Sequence, residues 1–251
     1  MLSPAASSLS KRDPEMREAL AFLTPFPGAR RPSPRSLRWF PLVGLFLGLA
    51  LGGLWWATSR MWPLPVAAAI VVVADLGCTG MLHLDGLADS ADGLLSHLPL
   101  EERLAVMREP TVGAFGVGAV VLVLLSRWIV LASLRPAPLL IAALWCVSRT
   151  AMAGTVERVP YARAEAGLAT VFMGSRLPLL FCGVVVVLAA GVASLWSVPA
   201  GPVAVVGSLG GFGLVMAFAV KRIGGFTGDV LGAAGMIGET VGLVVAVAKW
   251  S

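Results

Sequence analysis

Seven apolar runs fill most of this chain, at residues 39–58, 63–82, 113–134, 137–156, 177–197, 202–220 and 229–249. A helical run of about 20 residues rises about 1.5 Å per residue and crosses roughly 30 Å of hydrocarbon, and a water-soluble domain cannot bury seven of them. The pattern therefore predicts an all-α, polytopic membrane bundle of about seven transmembrane helices. A composition that is 57% hydrophobic and 13% charged, with mean hydropathy +0.87, agrees. The last run is the least regular: it holds Asp229 and Glu239, which predicts a broken or re-entrant helix lining a cavity. Two small-residue spacings, Gly44-x3-Gly48 and Gly207-x3-Gly211, suit close helix contact in lipid.

Charge orients the bundle. Residues 1–36 are polar and basic and hold no apolar core of signal-peptide type, so they are expected as a cytoplasmic segment ahead of a transmembrane catalytic domain at 37–251. Within that segment residues 1–10 are expected to be disordered, and Glu18 to Pro27 to lie amphipathically on the membrane surface. With the N-terminus inside, the cytoplasmic side collects the basic residues up to Arg38 and then Arg103, Arg108, Arg158, Arg163, Arg176, Lys221 and Arg222. Only Arg60, Arg135 and Lys249 fall outside, a bias of the kind that sets membrane orientation. The basic balance thus reflects topology and anionic lipid rather than nucleic acid, because no lysine-rich patch with interleaved aromatics occurs. Cys78, Cys146 and Cys182 are an odd, scattered set inside apolar runs and imply neither a disulfide framework nor a zinc site.

The chemistry concentrates in His83-Leu-Asp85-Gly-Leu-Ala-Asp89-Ser-Ala-Asp92-Gly93. On a helix, Asp89 stands about 40° and Asp92 about 20° from Asp85, so the three carboxylates form one stripe. Three like charges need a counter-ion, and an all-oxygen cluster suits Mg²⁺ or Mn²⁺, which keeps positions open for substrate phosphate. Three other stretches share the predicted cytoplasmic face. Arg108 and Glu109 stand before the third span, where a phosphate contact, a metal contact and a merely solvated surface are all open readings. Tyr161-Ala-Arg163 lies in a mixed-charge loop. Gly224-Gly225-Phe-Thr227-Gly-Asp229 offers backbone amides to an anion, a hydroxyl and a fourth carboxylate. Arg149, near the cytoplasmic end of the fourth span, is expected to face the site as a diphosphate clamp, with snorkelling to the headgroups as the alternative. For His83, proton transfer and interfacial packing both stand, and for Asp75, support of the site and an interhelical hydrogen bond.

These motifs, taken in order, make the chain similar to the cobalamin synthase family of adenosylcobinamide-GDP ribazoletransferases. The resemblance rests on Phe22-Leu-Thr, Thr79-Gly-Met-Leu-His-Leu-Asp-Gly-Leu-Ala-Asp-Ser-Ala-Asp-Gly93, Val106-Met-Arg-Glu with Gly113-Ala-Phe-Gly116, Val147-Ser-Arg149, Tyr161-Ala-Arg163 and Gly224-Gly-Phe-Thr-Gly-Asp-Val-Leu-Gly-Ala233. It implies an inner-membrane enzyme with a cytoplasmic active site that joins adenosylcobinamide-GDP to α-ribazole or its 5′-phosphate, releases GMP and uses Mg²⁺. In that reading Asp85, Asp89, Asp92 and Asp229 hold metal, Arg149 and Arg163 stabilise transition-state charge, and Asp92 or Asp229 accepts the hydroxyl proton, with His83 as a possible assistant. Arg108, Tyr161, Gly224, Gly225 and Thr227 would contact substrate. A homo-oligomer is compatible with all of this. Met81 departs from the family pattern, which has glycine there, as do Pro25 and Pro110-Thr111 where arginine is common. Two rivals remain: a CDP-alcohol phosphotransferase, whose acidic spacing differs, and a cation transporter using Asp75, Asp85 and Asp89.

Overall fold

The computed structural model describes residues 12–25 and 32–250. The segments expected to be disordered (1–10) and the end of the amphipathic segment (26–27) lie outside the described residues. Among the described residues, ten α-helices follow in order: α1 (Arg12–Leu23), α2 (Phe40–Thr58), α3 (Leu64–Cys78), α4 (Leu82–Leu95), α5 (Leu100–Val106), α6 (Ala114–Ser133), α7 (Pro138–Val156), α8 (Leu179–Ser194), α9 (Ala200–Ile223) and α10 (Gly228–Ala246). Two 3-10 turns, Pro34–Trp39 and Leu168–Phe172, precede α2 and α8.

Each predicted apolar run holds one helix. Five helical stretches, Pro34–Thr58, α6, α7, α9 and α10, are individually long and apolar enough to span, and α3 with α4 forms one further pair bent by 87°. At 16 residues α8 is a shorter apolar helix, about 24 Å long. The break expected in the last run is not there, since α10 continues unbroken through Glu239. The chain breaks instead between α3 and α4, where Gly80 and Met81 both take left-handed backbone (φ 57° and 60°). That turn swings α4 out of the spanning direction and lays the acidic stripe across the ends of α10 and α6.

The bundle is built on α7 and α10, whose apolar windows are 83% and 72% buried, against 28% for the peripheral α6. Helix α2 lies on α7 through a stripe of glycines. A Cβ on Gly44, Gly48 or Gly52 would come within 2.4 to 2.6 Å of backbone atoms of Trp145, Ala142 and Pro138. Backbone contact of this kind replaces the hydrophobic driving force that lipid does not supply.

Inside this apolar frame runs one ionic chain. Arg127 of α6 donates to Asp75 of α3 (2.5 Å), to Glu239 of α10 (2.6 Å) and to Thr240 (2.9 Å). Trp145 Nε1 of α7 donates to the other Asp75 oxygen at 3.0 Å, and Arg149 of α7 pairs with the other Glu239 oxygen. Two acids meet two guanidinium groups, all buried, so the set is neutral and joins four helices. Asp75 thus serves interhelical bonding, one of its two open readings.

Candidate active site

Helix α4 presents Asp85 and Asp89 on its outer face because the opposite face, with Leu87, Ala88 and Ala91, is buried. Its closest neighbour is the start of α10. A Cβ on Gly86 would fall 2.7 Å from the Asp229 carbonyl oxygen, so only glycine lets the two helices approach at this point. The approach sets Asp229 beside Asp85 and Asp89. Asp89 feels it: partial burial first, then the charges of Asp85 and Asp229, push its carboxyl up to about 6. The mouth of the site therefore carries crowded negative charge.

Asp229 is oriented by its surroundings. Its Oδ2 accepts from Arg163 Nη2 at 2.9 Å and from the Thr227 hydroxyl at 3.2 Å, while that hydroxyl caps α10 by accepting from Val230 N. Arg163 reaches it because the loop strand is pinned to the glycine-rich turn. Phe226 N donates to Pro160 O and Ala162 N to Phe226 O, both at 2.9 Å, forming a single parallel bridge between Tyr161 and Phe226. A Cβ on Gly225 would lie 2.1 Å from Pro160 O, which explains a glycine there. Gly224 closes α9 in the left-handed conformation (φ 75°) that glycine favours.

Behind Asp229 and Arg163 opens a cavity of about 140 Å³. Phe22, Phe40 and Phe172 form one wall, with ring centroids 4.8 to 5.8 Å apart, and His83, Met152 and Tyr161 are among the other lining residues. One side is thus apolar and aromatic, and the rim is charged.

A family model described as cobalamin-5-phosphate synthase matches residues 15–247. The chain belongs to the cobalamin-5-phosphate synthase family. Curated relatives named adenosylcobinamide-GDP ribazoletransferase include one from Chlorobaculum parvum, 38% identical over 86% of this chain and 87% of its own. Others come from Desulforamulus reducens (35% identical, 90% and 92% covered) and Ralstonia pickettii (37%, 82% and 81%). No solved structure matches the chain. These relatives are transferases of cobalamin synthesis.

The bundle gathers some of the residues singled out by sequence and separates others. Asp85, Asp89, Asp229 and Arg163 lie together, with buried Thr227 bonded to Asp229 and Tyr161 on the adjoining cavity. Asp92 sits on the same helix, but its two oxygens accept from Gly113 N (2.7 Å) and Gly116 N (2.9 Å), tying α4 to the start of α6. Arg149 does not reach the site: its side chain is 1% exposed and its guanidinium ends on Glu239 and Ser148 inside the bundle. The expectation of a diphosphate clamp overlooked Glu239, ninety residues away in sequence, as the partner. Arg108 is on the surface and pairs with exposed Glu165 at 2.8 Å. His83 is 8% exposed and packs against Gly232, with one side on the cavity. The aromatic wall was missed as a site, although Phe22-Leu-Thr belonged to the resemblance.

The donor set bears on a metal. Among the described residues no three His, Cys, Asp or Glu side chains stand close enough to enclose an ion. The oxygen-only face of Asp85, Asp89 and Asp229, with the raised Asp89, nevertheless fits Mg²⁺, which is usually held by one or two carboxylates while water and substrate phosphate fill the remaining positions.

Proposed function

We propose that this chain transfers the phosphocobinamide group of adenosylcobinamide-GDP to α-ribazole or its 5′-phosphate, releasing GMP, at a cytoplasmic face of the inner membrane. The observation that carries the proposal is an acidic face of Asp85, Asp89 and Asp229 beside a cavity with an aromatic wall, in a chain similar to relatives of that name along most of its length. The acceptor combines a flat, apolar benzimidazole with a polar ribose. The cavity walled on one side by Phe22, Phe40 and Phe172 suits the ring, and its charged rim suits the hydroxyls.

In this reading a ribose hydroxyl oxygen attacks the phosphorus attached to cobinamide, the new P–O bond forms, and the bond to the GMP oxygen breaks. Mg²⁺ on the Asp85 and Asp89 carboxylates would neutralise the diphosphate and the leaving oxygen. Arg163 lies at the rim, where it would contact the phosphoryl oxygens while holding Asp229 in place. Between the two candidate bases, Asp229 is favoured. Both Asp92 oxygens are taken by backbone amides, whereas Asp229 Oδ1 accepts no hydrogen bond among the described residues. Asp75, which a cation transporter would need free, is committed to Arg127 and Trp145.

The test is GMP release by purified protein in lipid, given adenosylcobinamide-GDP, α-ribazole phosphate and Mg²⁺. Metal-dependent GMP with a cobalamin product is expected, abolished by EDTA and reduced at least about a hundredfold in Asp89→Asn. Near-normal turnover in that variant would overturn the acidic site, and release of CMP from a CDP-alcohol instead would overturn the substrate assignment.

A further inference from the structure

A second pair of cavities lies away from this site, on the membrane-facing side of the bundle. Helices α2 and α8 both pack on α7, on adjacent flanks, and leave between them an apolar groove of about 420 Å³. Leu42, Leu45, Cys146, Phe181, Leu188 and Val192 line it. From Phe181 to Val192 it follows α8 for about 16 Å, most of the length of an acyl chain. At its cytoplasmic end the groove reaches Arg38 and Trp39, and Arg38 also lines a second cavity, of about 170 Å³, with Arg35, Ser175 and Arg176.

Three arginines therefore line the cavity that adjoins this end of the groove, Arg38 being common to both. Arg38 pairs with Glu15 of α1, but no carboxylate among the described residues pairs with Arg35 or Arg176. The turn that carries Arg176 is fixed from below. Glu157 accepts from the Ser175 hydroxyl and from Arg176 N, and Arg158 donates to Leu177 O at 3.2 Å. Arg176 itself is held at φ 55°, a conformation uncommon for a side chain of this kind. Glu157 and Arg158 directly follow the end of α7, so the basic cluster is built onto the same helix that floors the groove.

We propose that this joined pocket is a binding site for an anionic phospholipid of the cytoplasmic leaflet, its phosphate on Arg35, Arg38 and Arg176 and one acyl chain along α8. Guanidinium forks suit phosphate, and a zwitterionic lipid offers the same chains without the net negative charge. A soluble phosphate or nucleotide would use the basic cavity and leave the groove empty. The lipid would also brace a wall of the aromatic cavity. The 3-10 turn carrying Arg35 and Arg38 runs directly into Phe40, whose ring packs on Phe172 at 5.2 Å.

The test measures lipid retention by native mass spectrometry and thermal stability of the full chain in detergent, titrated with phosphatidylglycerol, phosphatidylcholine or inorganic phosphate. Phosphatidylglycerol is expected to be retained in preference and to raise Tm, with little effect from the other two. In Arg35→Gln/Arg176→Gln, which leaves the fold and the acidic site intact, its affinity is expected to fall at least about tenfold, toward that of phosphatidylcholine. Leu45→Trp, which fills the groove without touching the arginines, is expected to displace the same lipid. Equal retention of both lipids by the unaltered chain, undiminished phosphatidylglycerol binding in the double variant, or equal stabilisation by inorganic phosphate would each overturn the proposal.

Discussion

Neighbouring carboxylates on one helix do different work, and substitution separates them. Asp89 lies in a crowd of like charge, so Asp89→Asn removes repulsion and is expected to leave Tm unchanged or raised while turnover is lost. Asp92 is bonded to two backbone amides, so Asp92→Ala strands both donors and is expected to cost about 1–3 kcal/mol, read as a lower denaturation midpoint. Met81 gives the opposite sign. It is an exposed residue at φ 60°, and Met81→Gly should stabilise the chain by about 1 kcal/mol, measured as a rise in Tm, because glycine adopts that conformation without a Cβ clash.

The decisive contact between elements is the crossing of α4 and α10 at Gly86. Adding one methyl there drives a Cβ into the backbone of Asp229. Gly86→Ala is therefore expected to cost about 1–3 kcal/mol and to reduce GMP release disproportionately, since the helices must separate where the carboxylates converge. A kcat loss no larger than that of a surface substitution would show that the approach is unnecessary. Much of this was legible in sequence. All seven apolar runs contain helices, the acidic stripe is helical, and the Gly44 spacing does mark a close crossing. The partners were not legible. Local spacing shows which side of a helix Arg149 occupies, but not that Glu239 waits there, and it cannot show that Asp92 turns to the amides of Gly113 and Gly116. The irregularity assigned to α10 on account of Asp229 and Glu239 had another explanation: one acid stands at the helix start by the loop, and the other is neutralised inside.

For the molecule as a whole, stability in lipid depends on the neutral set of Asp75, Arg127, Arg149 and Glu239. Glu239 holds both arginines, so Glu239→Gln leaves two buried cations short of a partner and is expected to destabilise the bundle by about 3–5 kcal/mol, seen as aggregation on extraction or a large drop in Tm. Asp75→Asn should cost less, because Arg127 keeps Glu239, Thr240 and the Met236 carbonyl.

The same four residues impose an order on biogenesis. The ribosome delivers Asp75 first, Arg127 and Arg149 next, and Glu239 only with α10. Until that helix arrives, the nascent bundle carries a surplus cation whose acidic partner has not yet been made. It must be sheltered at the interface or by the insertion machinery, so α10 acts as the latch that commits the earlier helices to the bilayer.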